Sequence, residues 1–229
     1  LPRINKSIED GDFFNNEALK DAISHSAKGH ALHIMGLISD GGVHSHINHL
    51  ISLMDMAKNN NVKEMYIHCF LDGRDVPPKS ALPFVGRVEE HAKEISLGKI
   101  GIISGRFYAM DRDKRWDRLK LAYEALTESK GLKASTPLEA IENSYSRGET
   151  DEFVIPTIIN QAPIKDDDSV IFINFRPDRA REITRALTDP NFDGFEREVF
   201  PKNLNFVCMT EYDASMPNVK LAYPPESVD

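Results

Sequence analysis

Cysteine is scarce in this chain: Cys69 and Cys208 are its two examples, each inside an apolar run where a small hydrophobic thiol is an ordinary occupant. Two such residues make no disulfide framework, and a reducing cytoplasm is the compartment that fits. Also missing is any unbroken apolar stretch near the roughly 20 residues that a membrane span needs, and the N-terminus lacks the apolar core of a secretory signal. A soluble chain without a membrane partner is the expectation. Positive charge is in deficit, with Lys+Arg 28 against Asp+Glu 36 and a formal net charge of -8 at pH 7. Counterion release on nucleic acid requires a broad basic patch, so nucleic acid is not an expected partner and any anion must be met locally. No internal repeat is visible.

What is present is a core-forming composition. At 229 residues and 41% apolar, the chain can bury one large α/β domain or two small ones, and one is the simpler reading. Five nearly continuous apolar runs, at 31–38, 64–71, 99–104, 169–175 and 203–210, have the character of strands buried on both faces. Between them lie one-sided helical patterns: Ile47, Leu50, Ile51, Met54 and Ala57; Val85, Val88, Ala92 and Ile95; Trp116, Leu119, Tyr123 and Leu126. Asp111 precedes the third, and Thr136-Pro137-Leu138-Glu139 reads as a capping box with proline at the first helical position. The alternation predicts a three-layer α/β/α sandwich around a mostly parallel or mixed central sheet. Residues 147–168 fit less well: 153–159, interrupted by Pro156, reads as an edge strand or an added helix, and Asp166-Asp167-Asp168 as a solvated turn. The opening Leu1 and the closing Tyr223-Pro224-Pro225-Glu226-Ser227-Val228-Asp229 suggest a fragment, with 1–16 and 222–229 as linkers.

Chemistry-bearing residues gather just after the strand candidates. Ser39-Asp40-Gly41-Gly42-Val43-His44-Ser45-His46 follows the first, Asp72-Gly73-Arg74-Asp75 the second, Gly105-Arg106 with Arg112 the third, Arg176-Pro177-Asp178-Arg179 the fourth, and Glu211-Tyr212-Asp213 the fifth. In an open parallel sheet these ends share one edge, so the segments can converge on a single crevice. Arg74, Arg106, Arg112, Arg176 and Arg179 would then line one pocket of an acidic protein. Guanidinium forks match carboxylate and phosphate oxygens, each charge-assisted hydrogen bond contributing roughly 1.5 to 3 kcal/mol, which points to a small substrate carrying both anions. The blander alternative pairs each arginine with a neighbouring acid such as Asp111, Asp113 or Asp178 on a solvated helix end.

Asp75 is the candidate for moving a proton to or from a substrate hydroxyl, and the flanking arginines favour its carboxylate, so it accepts a proton more naturally than it donates one. The alternative is a turn aspartate, the reading preferred for Asp72 beside Gly73. Gly41-Gly42 permits a tight turn with exposed N–H groups ahead of a helix opening near His44, whose positive end can face a ligand. A metal on Asp40, His44, His46 and His49 is set aside, because His46 and His49 fall on the polar side of the helix, where exposed histidines are commonplace. Lys79, Lys114 and Arg115 are near enough to add charge but rank no higher than surface residues.

Four segments, SDGGVHSH at 39–46, HCFLDGRDVP at 68–77, SGRFYAMDRDKRW at 104–116 and INFRPDRAR at 173–181, resemble the cofactor-independent phosphoglycerate mutases, in the order expected for that family. The likeness runs over nearly the whole chain, including RINKSI at 3–8 and DGDFF at 10–14. The resemblance implies interconversion of 2-phosphoglycerate and 3-phosphoglycerate through a phosphoserine. An alkaline-phosphatase-like domain would carry the serine and two divalent metal ions, usually manganese, while an inserted domain holds the glycerate. The whole of 1–229 corresponds to that insertion. Position by position, it assigns His44, Arg74, Asp75, Arg106, Arg112, Arg176 and Arg179 to the substrate, with Asp75 as acid/base. No serine in its family context and no metal-binding cluster is found, so the chain by itself is expected to bind but not to turn over, with no metal of its own. The remaining alternatives are a self-sufficient sugar-phosphate hydrolase and a non-catalytic anion-binding module.

Overall fold

The structure is a computed structural model and describes residues 1–226. Its centre is an eight-stranded sheet in the order β4-β5-β3-β2-β1-β6-β7-β8. The strands are β1 (Leu32–Leu37), β2 (Met65–Leu71), β3 (Lys99–Gly105), β4 (Leu132–Lys133), β5 (Thr157–Ile158), β6 (Ser169–Phe172), β7 (Asn205–Thr210) and β8 (Val219–Tyr223). Neighbours pair in parallel except β5, which runs antiparallel to β3.

The sandwich follows from the two-residue alternation of apolar strands. Leu32 and Ile34 of β1 face one core with Ile67, while Met35 and Leu37 face the other with Phe70 and Phe172. Against the first face pack α2 (Glu17–Ser26) through Leu19 and Ile23, α3 (Ile47–Asn59) through Leu50 and Met54, α4 (Ala81–Ile95) through Val85 and Val88, and α7 (Pro137–Ser146) through Ile141. Against the second pack α6 (Trp116–Glu128) through Leu119 and Leu126 and α8 (Arg181–Thr188) through Ile183 and Leu187. A fully buried leucine of this kind contributes roughly 1.5–3 kcal/mol. Two further α-helices among the described residues are α1 (Pro2–Asp10) and the single turn α5 (Arg106–Ala109).

Helix α7 starts as its sequence signals: Glu139 N–H donates to Thr136 Oγ1 at 3.1 Å, and Pro137 stands in the first turn. Helix α6 begins at Trp116, and Asp111 caps the preceding loop instead, accepting from the N–H of Asp113 and Arg115. Helix α3 opens at Ile47 rather than near His44, with His46 Nδ1 taking the Asn48 N–H at 3.1 Å.

Two strands, β4 and β8, were not anticipated from the sequence, and β5 falls in the segment read as an edge strand or an added helix. Within 153–159, Thr157–Ile158 forms β5, which is interior rather than an edge because β4 pairs on its far side. Asp168 is not part of a solvated turn: it is buried, 5% exposed, and accepts hydrogen bonds from Ala31 N–H, Lys165 N–H and His33 Nε2–H. The stretches read as linkers carry α1 and the last two residues of β8, tied by Tyr223 O–H donating to Ser7 Oγ at 2.7 Å and Asn16 Nδ2–H to the Ala222 carbonyl at 2.7 Å. Residues 227–229 of the second stretch lie outside the described residues. No helix among the described residues is long and apolar enough to cross a membrane.

Candidate functional site

Arg106 is the centre of the C-terminal rim. It follows the last residue of β3 and is 2% exposed. Its Nη1 donates to Asp72 Oδ1 and to Asp75 Oδ2, both at 2.9 Å, and its Nη2 donates to His44 Nε2 at 3.1 Å. Asp72, beyond β2, also accepts from Ser39 Oγ–H at 2.7 Å and from the N–H groups of Arg74 and Asp75. It therefore forms the turn that its sequence suggests and at the same time anchors Arg106. One guanidinium thus ties together the ends of β1, β2 and β3.

His44 is buried beside this pair, with Nε2 3.9 Å from Asp75 Oδ2. Burial first, and then the charge of Arg106, pull its pKa down to about 4. The imidazole is neutral at pH 7, accepts at Nε2 and carries its proton on Nδ1, a buried atom without a partner among the described residues.

The other arginines complete the rim. Arg112 Nη1 and Arg176 Nε both reach Asp178, at 2.9 and 3.2 Å. Arg74 stands 3.6 Å from Glu152. Arg179 donates to the Met110 carbonyl at 3.3 Å and makes no ion pair among the described residues. Its affinity for its proton is lowered, by burial first and then by the positive charges of Arg112, Arg106 and Arg74. His44 in turn feels Arg106 and Arg176. The five guanidinium groups therefore share one electrostatic neighbourhood, partly but not fully neutralised by acids. Arg106 is wholly engaged, whereas the side chains of Arg74, Arg112 and Arg176 are 55, 44 and 49% exposed and face incoming solute.

A pocket of about 260 Å³ opens here, lined by Arg74, Arg106, Arg118 and Arg179 together with Asp111, Asp113 and Glu152, while His44, Asp75, Arg112 and Arg176 lie outside its lining. That is just below the roughly 300–1,000 Å³ of drug-sized sites and suits a small anion. Larger hollows of 540 and 940 Å³ open at the opposite edge, where β7 and β8, and β2 and β3, begin. What distinguishes the smaller pocket is its four guanidinium groups, where the larger hollows present lysines instead.

Two contributors escaped the sequence reading. The turn Asp151–Phe153 packs onto Gly73 and Gly105: a Cβ at Gly105 would run into the Glu152 carbonyl, and one at Gly73, where φ is +61, would lie 2.8 Å from the Glu152 nitrogen. These glycines let the turn approach and bring Glu152 to Arg74. Buried Asp151 fixes the turn by accepting from Ser80 N–H at 2.8 Å and from the Tyr145 hydroxyl. The second is Arg118, whose guanidinium carbon lies 3.8 Å from the Phe107 ring centroid. Its signal was a cation in the first turn of α6, where the helix dipole prefers an anion.

Other candidates stay apart. Asp213 pairs with Arg185 at 2.9 Å, and Tyr212 is buried with its hydroxyl donating to the Asn174 carbonyl at 2.6 Å. His49 is not exposed as its helical position suggested: it is fully buried, donating from Nε2 to Asn5 Oδ1 at 2.8 Å beneath α1. Among the described residues, no group of three or more His, Cys, Asp or Glu side chains is placed to hold a metal ion.

Residues 4–214 match the family described as BPG-independent PGAM N-terminus. The chain belongs to this family. Curated relatives named 2,3-bisphosphoglycerate-independent phosphoglycerate mutase include those of Clostridium novyi, 56% identical over 99% of this chain and 45% of the relative, and Acetivibrio thermocellus, 52% identical over 100% and 46%. A crystal structure of Leishmania mexicana phosphoglycerate mutase at low cobalt concentration superposes with a TM-score of 0.89 at 31% identity, covering 97% of this chain and 43% of that one. The chain thus spans about 45% of the length of the curated relatives it matches. The fold is that of the mutase's N-terminal family, and the arginine rim lies within the matched residues.

Proposed function

We propose that this chain is the glycerate-holding part of a phosphoglycerate mutase, an isomerase that interconverts 2-phosphoglycerate and 3-phosphoglycerate in glycolysis and gluconeogenesis in the cytoplasm. The observation that supports this reading is that Arg106 holds Asp75 at 2.9 Å while Arg74, Arg112 and Arg179 share its electrostatic neighbourhood and Arg176 reaches the same Asp178 as Arg112. Arg74, Arg112, Arg176 and Arg179 hold the carboxylate and phosphate of the substrate. Arg106 holds Asp75 in place, and neutral His44 supports Arg106 without adding a second positive charge.

Asp75 protonates the glycerate oxygen from which the phosphoryl group departs to the serine, and takes the proton back from the second hydroxyl as that oxygen receives the group. Its side chain is 20% exposed, enough to meet a hydroxyl while held by Arg106. A metal-bearing phosphatase-like domain of the same polypeptide supplies the serine nucleophile. Its two divalent ions, manganese in this proposal, stabilise charge on the transferring group. Closure of the two domains excludes water while the glycerate turns.

Calorimetric titration of the chain with 3-phosphoglycerate tests the reading: binding is expected, without release of inorganic phosphate. Absence of binding sinks it, and phosphate release by the chain alone favours a self-sufficient hydrolase instead.

A further inference from the structure

The single turn α5 carries two side chains with different tasks. Arg106 reaches Asp72 and Asp75, while Phe107 beside it meets Arg118 of α6, whose guanidinium carbon lies 3.8 Å from the ring centroid. Phe107 is itself braced by Tyr108 and Phe153, at centroid distances of 5.2 and 5.1 Å. An aromatic ring attracts a guanidinium through its electron-rich face, a contact that holds the group without spending its N–H donors.

Those donors are idle. Among the described residues Arg118 makes no side-chain hydrogen bond, and its ion-pair partner, Asp111 Oδ1, lies 3.9 Å away, beyond hydrogen-bond reach. Asp111 is occupied instead by the N–H groups of Asp113 and Arg115. Yet the Arg118 side chain is only 24% exposed, so much of the group is withdrawn from water. Its place in the first turn of α6 also sets a cation against the helix dipole. A guanidinium so placed is costly to keep unless an anionic acceptor arrives.

The pocket of about 260 Å³ is where one can arrive, since Arg118 lines it beside Arg74, Arg106 and Arg179. Arg106 is committed to Asp72, Asp75 and His44, Arg74 stands 3.6 Å from Glu152, and Arg179 donates to the Met110 carbonyl. Of the carboxylates in the lining, Asp111 and Glu152 are thus engaged, and Asp113 is exposed to solvent.

We propose that Arg118 is a further substrate-binding residue of the rim, donating to oxygens of one anionic group of the bound phosphoglycerate, phosphate or carboxylate, and that Phe107 is the positioning residue that holds it ready. The proposal rests on the proposed function only in taking that anion to be one end of a phosphoglycerate.

The test measures dissociation constants of 3-phosphoglycerate, inorganic phosphate and glycerate by calorimetry, for the wild-type chain, Arg118→Met, Phe107→Leu and the double variant. Arg118→Met keeps the apolar stem and is expected to bind 3-phosphoglycerate about tenfold more weakly, the loss of about one charge-assisted contact. It should also weaken one of the two small anions and spare the other: loss of phosphate assigns Arg118 to the phosphate, loss of glycerate to the carboxylate. Phe107→Leu should weaken the same anion several-fold in the wild-type background and have no further effect beside Arg118→Met. An Arg118→Met chain that binds 3-phosphoglycerate like wild type overturns the proposal and leaves the substrate reading intact. Equal loss of both small anions, the mark of a deformed pocket, overturns it too, and an undiminished effect of Phe107→Leu in the double variant removes the positioning role. If the wild type takes up phosphate but not 3-phosphoglycerate, and Arg118→Met weakens that uptake, the anion contact stands and the phosphoglycerate reading fails; if the wild type binds none of the three, both fail.

Discussion

Arg106 and Arg179 share a rim but stand in opposite energetic positions. Arg106 neutralises two carboxylates at 2.9 Å inside the protein, and removing one partner of a buried ion pair costs about 3–5 kcal/mol because the other charge is stranded. Arg106→Met should therefore lower the urea-unfolding free energy by about that amount. Arg179→Met keeps the apolar stem and breaks no ion pair, so its unfolding free energy should stay within about 1 kcal/mol of wild type while affinity for 3-phosphoglycerate falls tenfold or more. Equal stability of the two variants would falsify the division of roles. The buried histidines add a pH signature. His44 and His49 are each lowered to about 4, chiefly by burial, while the unfolded chain takes up the same protons near pH 6.5. The unfolded state thus binds more protons between pH 6.5 and pH 4, and the stability present above that window is lost as pH falls through it, on the order of 3 kcal/mol per histidine. Unfolding midpoints measured from pH 7 down to pH 4 should show the decline, and His49→Gln should make it shallower. The arginines were legible as residues because cations at strand ends are conspicuous in an acidic chain. The burial of His49 and Asp168 was not, since helical position and a run of acids say nothing about α1 or His33 arriving from elsewhere.

Between elements, the turn Asp151–Phe153 depends on the absence of two side chains. Gly105→Ala places a methyl against the Glu152 carbonyl, and Gly73→Ala forces alanine to φ +61 while pushing on the same turn. Overpacking of this kind costs about 1–3 kcal/mol. The expected outcome for each is a modest fall in thermal stability with a larger loss of 3-phosphoglycerate affinity, because the displaced turn carries Glu152 and through it Arg74. Wild-type affinity in both variants would show that the turn has no part in the site. Strands β1, β2, β3, β6 and β7 and the one-sided helices α3, α4 and α6 were legible from apolar runs and periodicity, which act over many residues. Strands β4 and β5 have two residues each: β5 lies in the 153–159 run that left edge strand and helix open, and β4 exists only because β5 offers it a partner, so no local pattern announces it. Val219–Tyr223 was hidden differently, by the prolines that follow it and give the region the look of a connecting peptide.

For the molecule as a whole, the sandwich brings distant stretches of chain together, and the net charge of -8 keeps the rim's positive field local. Ligand that binds only the folded state should therefore register in global stability. At one hundred times its dissociation constant such a ligand stabilises by about 2.7 kcal/mol, and each kcal/mol moves the melting temperature of a domain this size by about 2–4 °C. 3-Phosphoglycerate at that excess should raise Tm by about 5–11 °C, and glycerate or inorganic phosphate at the same concentration by less, since each meets only part of the rim and binds more weakly. Arg179→Met should lose most of the shift. Higher salt should shrink it, because Arg74, Arg112 and Arg176 are about half exposed and their attraction is screened over a Debye length of about 8 Å at physiological ionic strength. A shift of equal size with inorganic phosphate alone would mean that one anion occupies the rim and the second has no place there, and the two-anion substrate would have to be given up.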